Sequence, residues 1–506
     1  MPVKTTILAS EPVVVQQHEL TLTTNAGTNN KEKAFSATIL TYGATLTHLT
    51  CPDRWNQPQD VVLGFDHWQD YVAQAQPGAL NPYFGSIIGP TASRIANATF
   101  QLESTHAHNL ATTTTTATSP AQVPTHVLQV SNGLDCHHGG PKGFDKQHWT
   151  TVNVNQDETS VTLEWVSPHG DYGYPGRLVS RVQYKLTGQG ELIIEFSAQL
   201  KEGGKTGGAI AQDTSSMDLH STIVSLTNHA YWNLDGVLNP PEDQEDQFQS
   251  LFLETPPISG TATNNNDNNK VVVIKNPCTV KDHTLWLSTS TLVELGNKHP
   301  VPTGVLIDVT QTPELHIQKE LLDFTGTEIH PVSRNKALGY GLDSIPGGYG
   351  YDHVFALDGT DANHTTPVPV NDVGIQAYWP RTPHVATLYS PRSGIRLDLS
   401  TSEPAVVLYA AGYLDKSLLP RTKSKILDIP GNSLATSPAA APTFVPTVPG
   451  DERKVKIEAE FDKFAGFCLE PIRFPDAIHH RDWAGMVTLH HDQVYRQRSV
   501  YKFSSE

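Results

Sequence analysis

Apolar residues recur at every second position through much of this chain. Leu192, Ile194, Phe196, Ala198 and Leu200 alternate with Glu195, Ser197 and Gln199, while Val182, Tyr184 and Leu186 alternate with Arg181, Gln183 and Lys185. A period of two sends one set of side chains to one face of a strand and the other set to the opposite face. Gly188-Gln189-Gly190 joins the two runs, so together they predict a hairpin. Further strands are predicted at Val161–Val166, Val305–Val309, Ile395–Leu399 and Ala405–Tyr409. The chain carries no long capped stripe at i, i+3, i+4, i+7. The expected fold class is therefore all-β, with so many strands suggesting stacked sheets whose long loops carry function.

Four stretches break the alternation without offering a packing pattern of their own: residues 103–124, 238–270, 334–348 and 414–453. The first holds Thr113 to Thr116, the second a run from Asn264 to Asn269, the third many glycines, and the fourth Ser, Pro, Ala and Thr. All four read as insertions, surface loops or disorder, on a single domain expected to span 1–506.

Composition narrows the partners. The 506 residues include 35 basic and 52 acidic side chains, a net charge of −17. Phosphate backbones and anionic membrane surfaces attract the opposite balance, so neither nucleic acid nor membrane is expected. Cys51, Cys136, Cys278 and Cys468 are far apart and form no CxxC pair, which fits free thiols in a reducing compartment. The first 20 residues hold no signal-peptide core, and no run reaches the ~20 apolar residues of a membrane span. A cytoplasmic location is expected.

Five stretches carry candidate chemistry. Tyr83 to Ala96 contains Ser93-Arg94, Cys136 to Asp145 places His138 before Gly139-Gly140, and Ser225 to Gly236 contains His229. Asp352 lies in Gly350 to His353, and Glu470 in the apolar run Phe467 to Asp476. Were Ile223 to Asn233 one extended strand, His229, Tyr231 and Asn233 would share a face. Gly139-Gly140 would let backbone approach a ligand closely. Each residue also has an ordinary role open to it: Arg94 in a surface ion pair, Asp352 in a turn, His138 in the glycine turn, Glu470 paired with Arg473. The chain has no GxGxxG opening a helix, no HExxH and no GxSxG. In the doublets His137-His138, His479-His480 and His490-His491, neighbours on a strand point to opposite faces, so no metal is expected.

Taken in order, the five stretches resemble those of the aldose 1-epimerase (galactose mutarotase) family. Supporting matches are Tyr42-Gly43-Ala44, Pro52-Asp53-Arg54, Asp60 to Asp66 with Tyr71, Ser167-Pro168 and Tyr174-Pro175-Gly176. Later come Pro302-Thr303-Gly304, Leu322-Asp323-Phe324, and Thr401-Ser402-Glu403-Pro404 followed by Leu408-Tyr409. The resemblance runs from about Thr41 to the C-terminus, skipping the four insertions. It implies the galactose-mutarotase β-sandwich and interconversion of the α- and β-anomers of free hexoses such as galactose or glucose. It also implies roles: Glu470 as general base, His229 as general acid, His138 as a second active-site histidine, and Arg94 and Asp352 on the sugar hydroxyls. Ser93 stands where the family usually has Asn, and Pro471-Ile472 where it has Thr-Gln. Ser93 is counted with the sugar contacts.

The chemistry asks for such a set. Opening a cyclic hemiacetal needs a base for the C1 hydroxyl and an acid for the departing ring oxygen, and a carboxylate and an imidazolium on opposite sides of the sugar supply them. The partner is a monosaccharide, with no cofactor and no metal. Two other readings stay open: a hexose-6-phosphate epimerase using Arg94, Arg381 or Arg473 for the phosphate, and a non-catalytic carbohydrate-binding protein.

Overall fold

The computed structural model describes residues 2–11, 13–25, 32–102, 123–201, 221–238, 271–296, 300–311, 342, 345, 348–357, 368–369, 382–419, 422–428 and 454–506. Most of the four insertions, together with Leu322-Asp323-Phe324 and Arg381, lies outside these residues. Among the described residues, the named α-helices are the short Trp68–Gln74 and Ala484–Val487, and no helix is long and apolar enough to cross a membrane.

The largest sheet runs, in spatial order, through Thr150–Asn155, Ser160–Ser167, Arg177–Thr187, Glu191–Lys201, Gln493–Ser505, Ile395–Thr401, His384–Tyr389 and Thr284–Leu287. At its heart is the predicted hairpin, with Val182 opposite Phe196 and Tyr184 opposite Ile194. Gly190, at φ +77°, turns the chain where a Cβ would stand 2.7 Å from the Phe503 carbonyl oxygen. Only glycine meets both conditions without strain.

A second sheet orders Tyr231–Trp232, Phe467–Ile472, Ala405–Tyr409, Asp352–Ala356, Thr291–Leu295 and Pro302–Asp308. A third is the N-terminal meander of Val3–Ala9, Val15–Asn25, Glu32–Leu40, Thr45–Pro52 and Pro58–Asp60. Their inner faces meet in one apolar core. Tyr184, Phe196 and Tyr501 come from the first sheet, Phe355, Leu408 and Leu469 from the second, and Leu20, Ile39 and Leu46 from the third. Burying side chains of this size contributes about 1.5–3 kcal/mol each. The all-β class expected from alternation, and the sandwich implied by the family resemblance, are what the chain forms.

Two expectations are corrected here. The stretch from Ile223 to Asn233 is not one strand. It breaks into Ser221–Ile223, Thr227–Asn228 and Tyr231–Trp232, which pair with Thr488–His490, Ile87–Ile88 and Phe467–Cys468 respectively. Alternation shows which residues are apolar but not where a strand changes partner. Asn228 enforces the break: its Nδ2 donates to the Gly85 carbonyl at 2.7 Å and its Oδ1 accepts from the Ala230 N–H at 3.1 Å. Within 414–453, Ser424–Asp428 is a strand, paired with Lys454–Glu460. Its short apolar pair, Ile426-Leu427, is masked in sequence by Ser, Pro and Ala. The buried Lys423 leading into it reaches Asp60 Oδ2 and the Val62 carbonyl at 2.6 Å each.

Candidate active site

Phe467–Ile472 is buried along its whole length, on both faces. Phe467 and Leu469 face the core, so alternation sends Cys468 and Glu470 to the other side. Directly opposite Cys468 are Tyr231 on one neighbouring strand and Tyr409 on the other, and opposite Tyr409 is Asp352. Residues in register share a face. Pairing alone therefore lines up Tyr231, Cys468, Tyr409 and Asp352, with Glu470 beside them. Tyr231, Cys468, Tyr409 and Glu470 are all buried, while Asp352 at the end of the row opens to solvent.

His229 meets the row from above. Its Nε2 lies 3.6 Å from Glu470 Oε1 and its Nδ1 lies 3.7 Å from Cys468 Sγ. The rings of Tyr83 and Tyr231 stack against it with centroids 5.6 and 5.1 Å away. Its backbone is held from both sides, N–H to the Ser86 carbonyl and C=O from the Gly85 N–H, at 2.9 Å each. The structure thus brings together the two residues that sequence could place only far apart.

His138 stands 5.6 Å from His229, ring to ring. Its Nδ1 accepts from the Ser93 N–H at 3.1 Å, and its own N–H donates to the Ser93 carbonyl at 3.0 Å. A bare Nδ1 leaves the ring proton on Nε2. The Ser93 contacts are thus made by backbone. Ser93 has φ +62° and His138 φ +52°. Asparagine tolerates that left-handed region better than serine, which gives a physical reason for an Asn at position 93. The positive φ of His138 also defeats the alternation argument about doublets, because the rings of His137 and His138 lie 3.7 Å apart. The glycine reading changes too. A Cβ on Gly139 would sit 1.9 Å from the Gly89 carbonyl oxygen, so the close approach there is to the protein's own backbone.

Arg94 is half-buried, in register with His137. Its charge acts on Asp352, Tyr83 and Tyr413. Glu470 does not pair with Arg473. That guanidinium is buried beneath the site, 3.2 Å from Glu403 Oε2 and 4.5 Å above the Tyr495 ring. The ordinary role open to Glu470 is already filled. Trp232 packs in the core against Tyr501 and Phe503. Asn233 ties down the Thr279 and Ala465 carbonyls.

Burial dominates the electrostatics. It raises the Glu470 carboxyl well above its ordinary range, and the nearby Asp352 charge adds to this. Burial lowers His229 to about 4 and takes His138 well below its usual value. Asp352 is raised by the protein crowded around it, with Arg94 opposing. Burial thus favours the neutral form of both groups. His229, Cys468 and Glu470 are also the described cluster of three metal-ligating types, their donor atoms within 4.8 Å of one another. The ring turns a different nitrogen to the sulfur and to the carboxylate, and one nitrogen joining both is what a metal would need.

Sequence reasoning missed Tyr83, Tyr409 and Cys468 as parts of this site. Cys468 was within reach, since i and i+2 on a strand share a face. The aromatic neighbours depend on pairings that sequence does not show.

The family model for aldose 1-epimerase matches residues 28–255 and 273–502. Galactose mutarotase from Homo sapiens is 26% identical over 466 residues, covering 92% of this chain and 90% of the relative. Aldose 1-epimerase from Escherichia coli is 30% identical over 217 residues, covering 43% and 48%. Among solved structures, galactose 1-epimerase from Lactobacillus acidophilus aligns with a TM-score of 0.58 at 17% identity over 99% of each chain. An aldose epimerase homologue from C. elegans aligns with a TM-score of 0.55 at 22% identity, covering 93% and 96%.

Proposed function

Because the chain belongs to the aldose 1-epimerase family, we propose that it interconverts the α- and β-anomers of free hexoses through Glu470 and His229. The enzyme is an isomerase acting on sugars. The observation that carries the residue assignment is the 3.6 Å contact between Glu470 Oε1 and His229 Nε2.

O1 and the ring oxygen O5 are both bonded to C1, so the groups that serve them must face one small spot. A pyranose ring cannot sit between atoms 3.6 Å apart, so acid and base approach C1 from one edge rather than from opposite sides. In opening, Glu470 takes the O1 proton, C1=O1 forms as C1–O5 breaks, and His229 Nε2 protonates O5. After rotation about C1–C2, O5 returns its proton to His229 and O1 regains one from Glu470. One proton on the pair suffices throughout. The resting state favoured by burial, proton on Glu470 and neutral His229, is the one that closes the ring. Arg94, Asp352 and the His138 Nε2–H supply charged and neutral hydrogen bonds that can orient a polyol.

The test is polarimetry of freshly dissolved α-galactose and α-glucose, which the protein is expected to equilibrate faster than buffer does. Saturable sugar binding without acceleration would overturn the proposal in favour of a binding protein. Glucose 6-phosphate is the control for the phosphate reading, which loses a candidate because Arg473 is buried and paired. A clear preference for the phosphate would reverse the ranking.

Two variants probe the surroundings. Arg94→Met is expected to raise KM about 10–100-fold with little change in kcat, since a hydrogen bond to a charged group is worth roughly 1.5–3 kcal/mol. Asp352→Asn removes a negative charge that helps hold Glu470 up. Activity is lost above the pH at which the pair gives up its proton. The alkaline limb of the kcat/KM profile should therefore move to lower pH in this variant, and an unmoved limb would uncouple Asp352 from the base.

A further inference from the structure

We infer that Cys468 is a positioning residue for His229: its sulfur accepts the Nδ1–H, which leaves Nε2 as the nitrogen that exchanges protons with the sugar. The inference rests on the assignment of His229 as the acid.

The argument starts from what the rings beside His229 leave undecided. Tyr83 and Tyr231 lie nearly parallel to the imidazole, at 24° and 25°, and so fix its plane. Stacking does not distinguish one edge of the ring from the other. A half-turn about Cβ–Cγ would exchange Nδ1 with Cδ2 and Nε2 with Cε1 at the same stacking energy, and would turn carbon toward Glu470. Edge-specific contacts are needed: Glu470 Oε1 lies 3.6 Å from Nε2 but exchanges its own proton during the cycle, and on the other edge Cys468 Sγ lies 3.7 Å from Nδ1.

Proton direction follows from the reaction. An imidazolium that has given its Nε2 proton to O5 keeps the one on Nδ1, so Nδ1 must face an acceptor throughout the cycle. The ring also makes a hydrogen bond with its own backbone that favours the protonated form, as a donating N–H does. The thiol stays neutral because burial, with Glu470 and Asp352 nearby, pushes it well above its usual range. A neutral sulfur orients the ring without stabilising the imidazolium as a carboxylate partner would. The acid is therefore held in place and kept strong. Cys468 and Glu470 are two apart on one strand, so base and anchor share one rigid element.

The test compares Cys468→Ser with Cys468→Ala in protein labelled with 15N-histidine, the His229 signals being assigned by their loss in His229→Gln. In the wild type, neutral His229 is expected as the Nδ1–H tautomer. Serine, which can accept the same hydrogen bond, should keep that tautomer and hold kcat within about 3-fold. Alanine should release it to a mixture and lower kcat about 3–10-fold with KM nearly unchanged, the span of one net hydrogen bond. If the alanine variant keeps the Nδ1–H tautomer, or if serine and alanine lower kcat equally, the inference fails. The tautomer is read without turnover. A tautomer that shifts as expected in a protein with no mutarotase activity would therefore sink the functional reading and leave the anchor standing.

Discussion

Glu470→Gln should slow anomer interconversion by about 10²–10⁴-fold, the usual contribution of one positioned acid or base. Glutamine keeps the size of the side chain and can still hydrogen-bond, but it can neither take the O1 proton nor return one. The neutral amide also removes a buried titratable group, so the alkaline limb of the pH–rate profile should vanish with the activity. The protein itself should be no less stable, because a carboxyl that burial already favours as neutral is replaced by a neutral group. NMR of fresh α-glucose, followed as the β-anomer appears, gives the rate, and thermal unfolding provides the check on folding. A variant that equilibrates the anomers as fast as wild type would show that Glu470 is not the base.

The second large effect is on stability. Arg473→Met is expected to lower stability by roughly 3–5 kcal/mol, the cost of stranding one member of a buried ion pair. Arg473 and Glu403 are each exposed by no more than 1%. The guanidinium also donates to the Met486 carbonyl and, at 3.3 Å, to that of Arg496. Glu403 Oε1 already lacks a hydrogen-bond partner among the described residues, so its other oxygen depends on Arg473. The midpoint of urea unfolding measures the loss. Glu403→Gln combined with Arg473→Met should recover part of it, because the uncompensated buried charge is then gone. If the single variant unfolds at the wild-type midpoint, the pair contributes little.

The alternation of apolar and polar residues was enough to predict the all-β class and the central hairpin, because a half-buried strand writes its two faces directly into the sequence. It could not show that Ile223 to Asn233 changes partner twice, since nothing in the order of apolar and polar residues marks where one pairing ends and the next begins. Charge arithmetic was equally blind to partner choice. Glu470 and Arg473 are close in sequence, yet the arginine turns beneath the sheet to Glu403. Glu470 and His229 were legible as candidates through family motifs and, for Glu470, through the oddity of a carboxylate in an apolar run. Cys468 was read only as one of four separated free thiols, and its register with Tyr231 and Tyr409 shows that it faces the site. Ser93 and His138 reveal the opposite limit. Their left-handed backbone is a property of the folded chain, and rules built on regular strands misjudge it.

The row of Tyr231, Cys468, Tyr409 and Asp352 is spaced by main-chain hydrogen bonds. Those bonds act as a ruler for the catalytic groups, and a ruler can be displaced only by whole divisions. Slipping Phe467–Ile472 by one residue would turn Phe467, Leu469 and Pro471 toward the sugar and push a carboxylate into the apolar core. A single-residue deletion inside this strand is therefore expected to abolish the proposed activity, because every side chain beyond it would move to the opposite face.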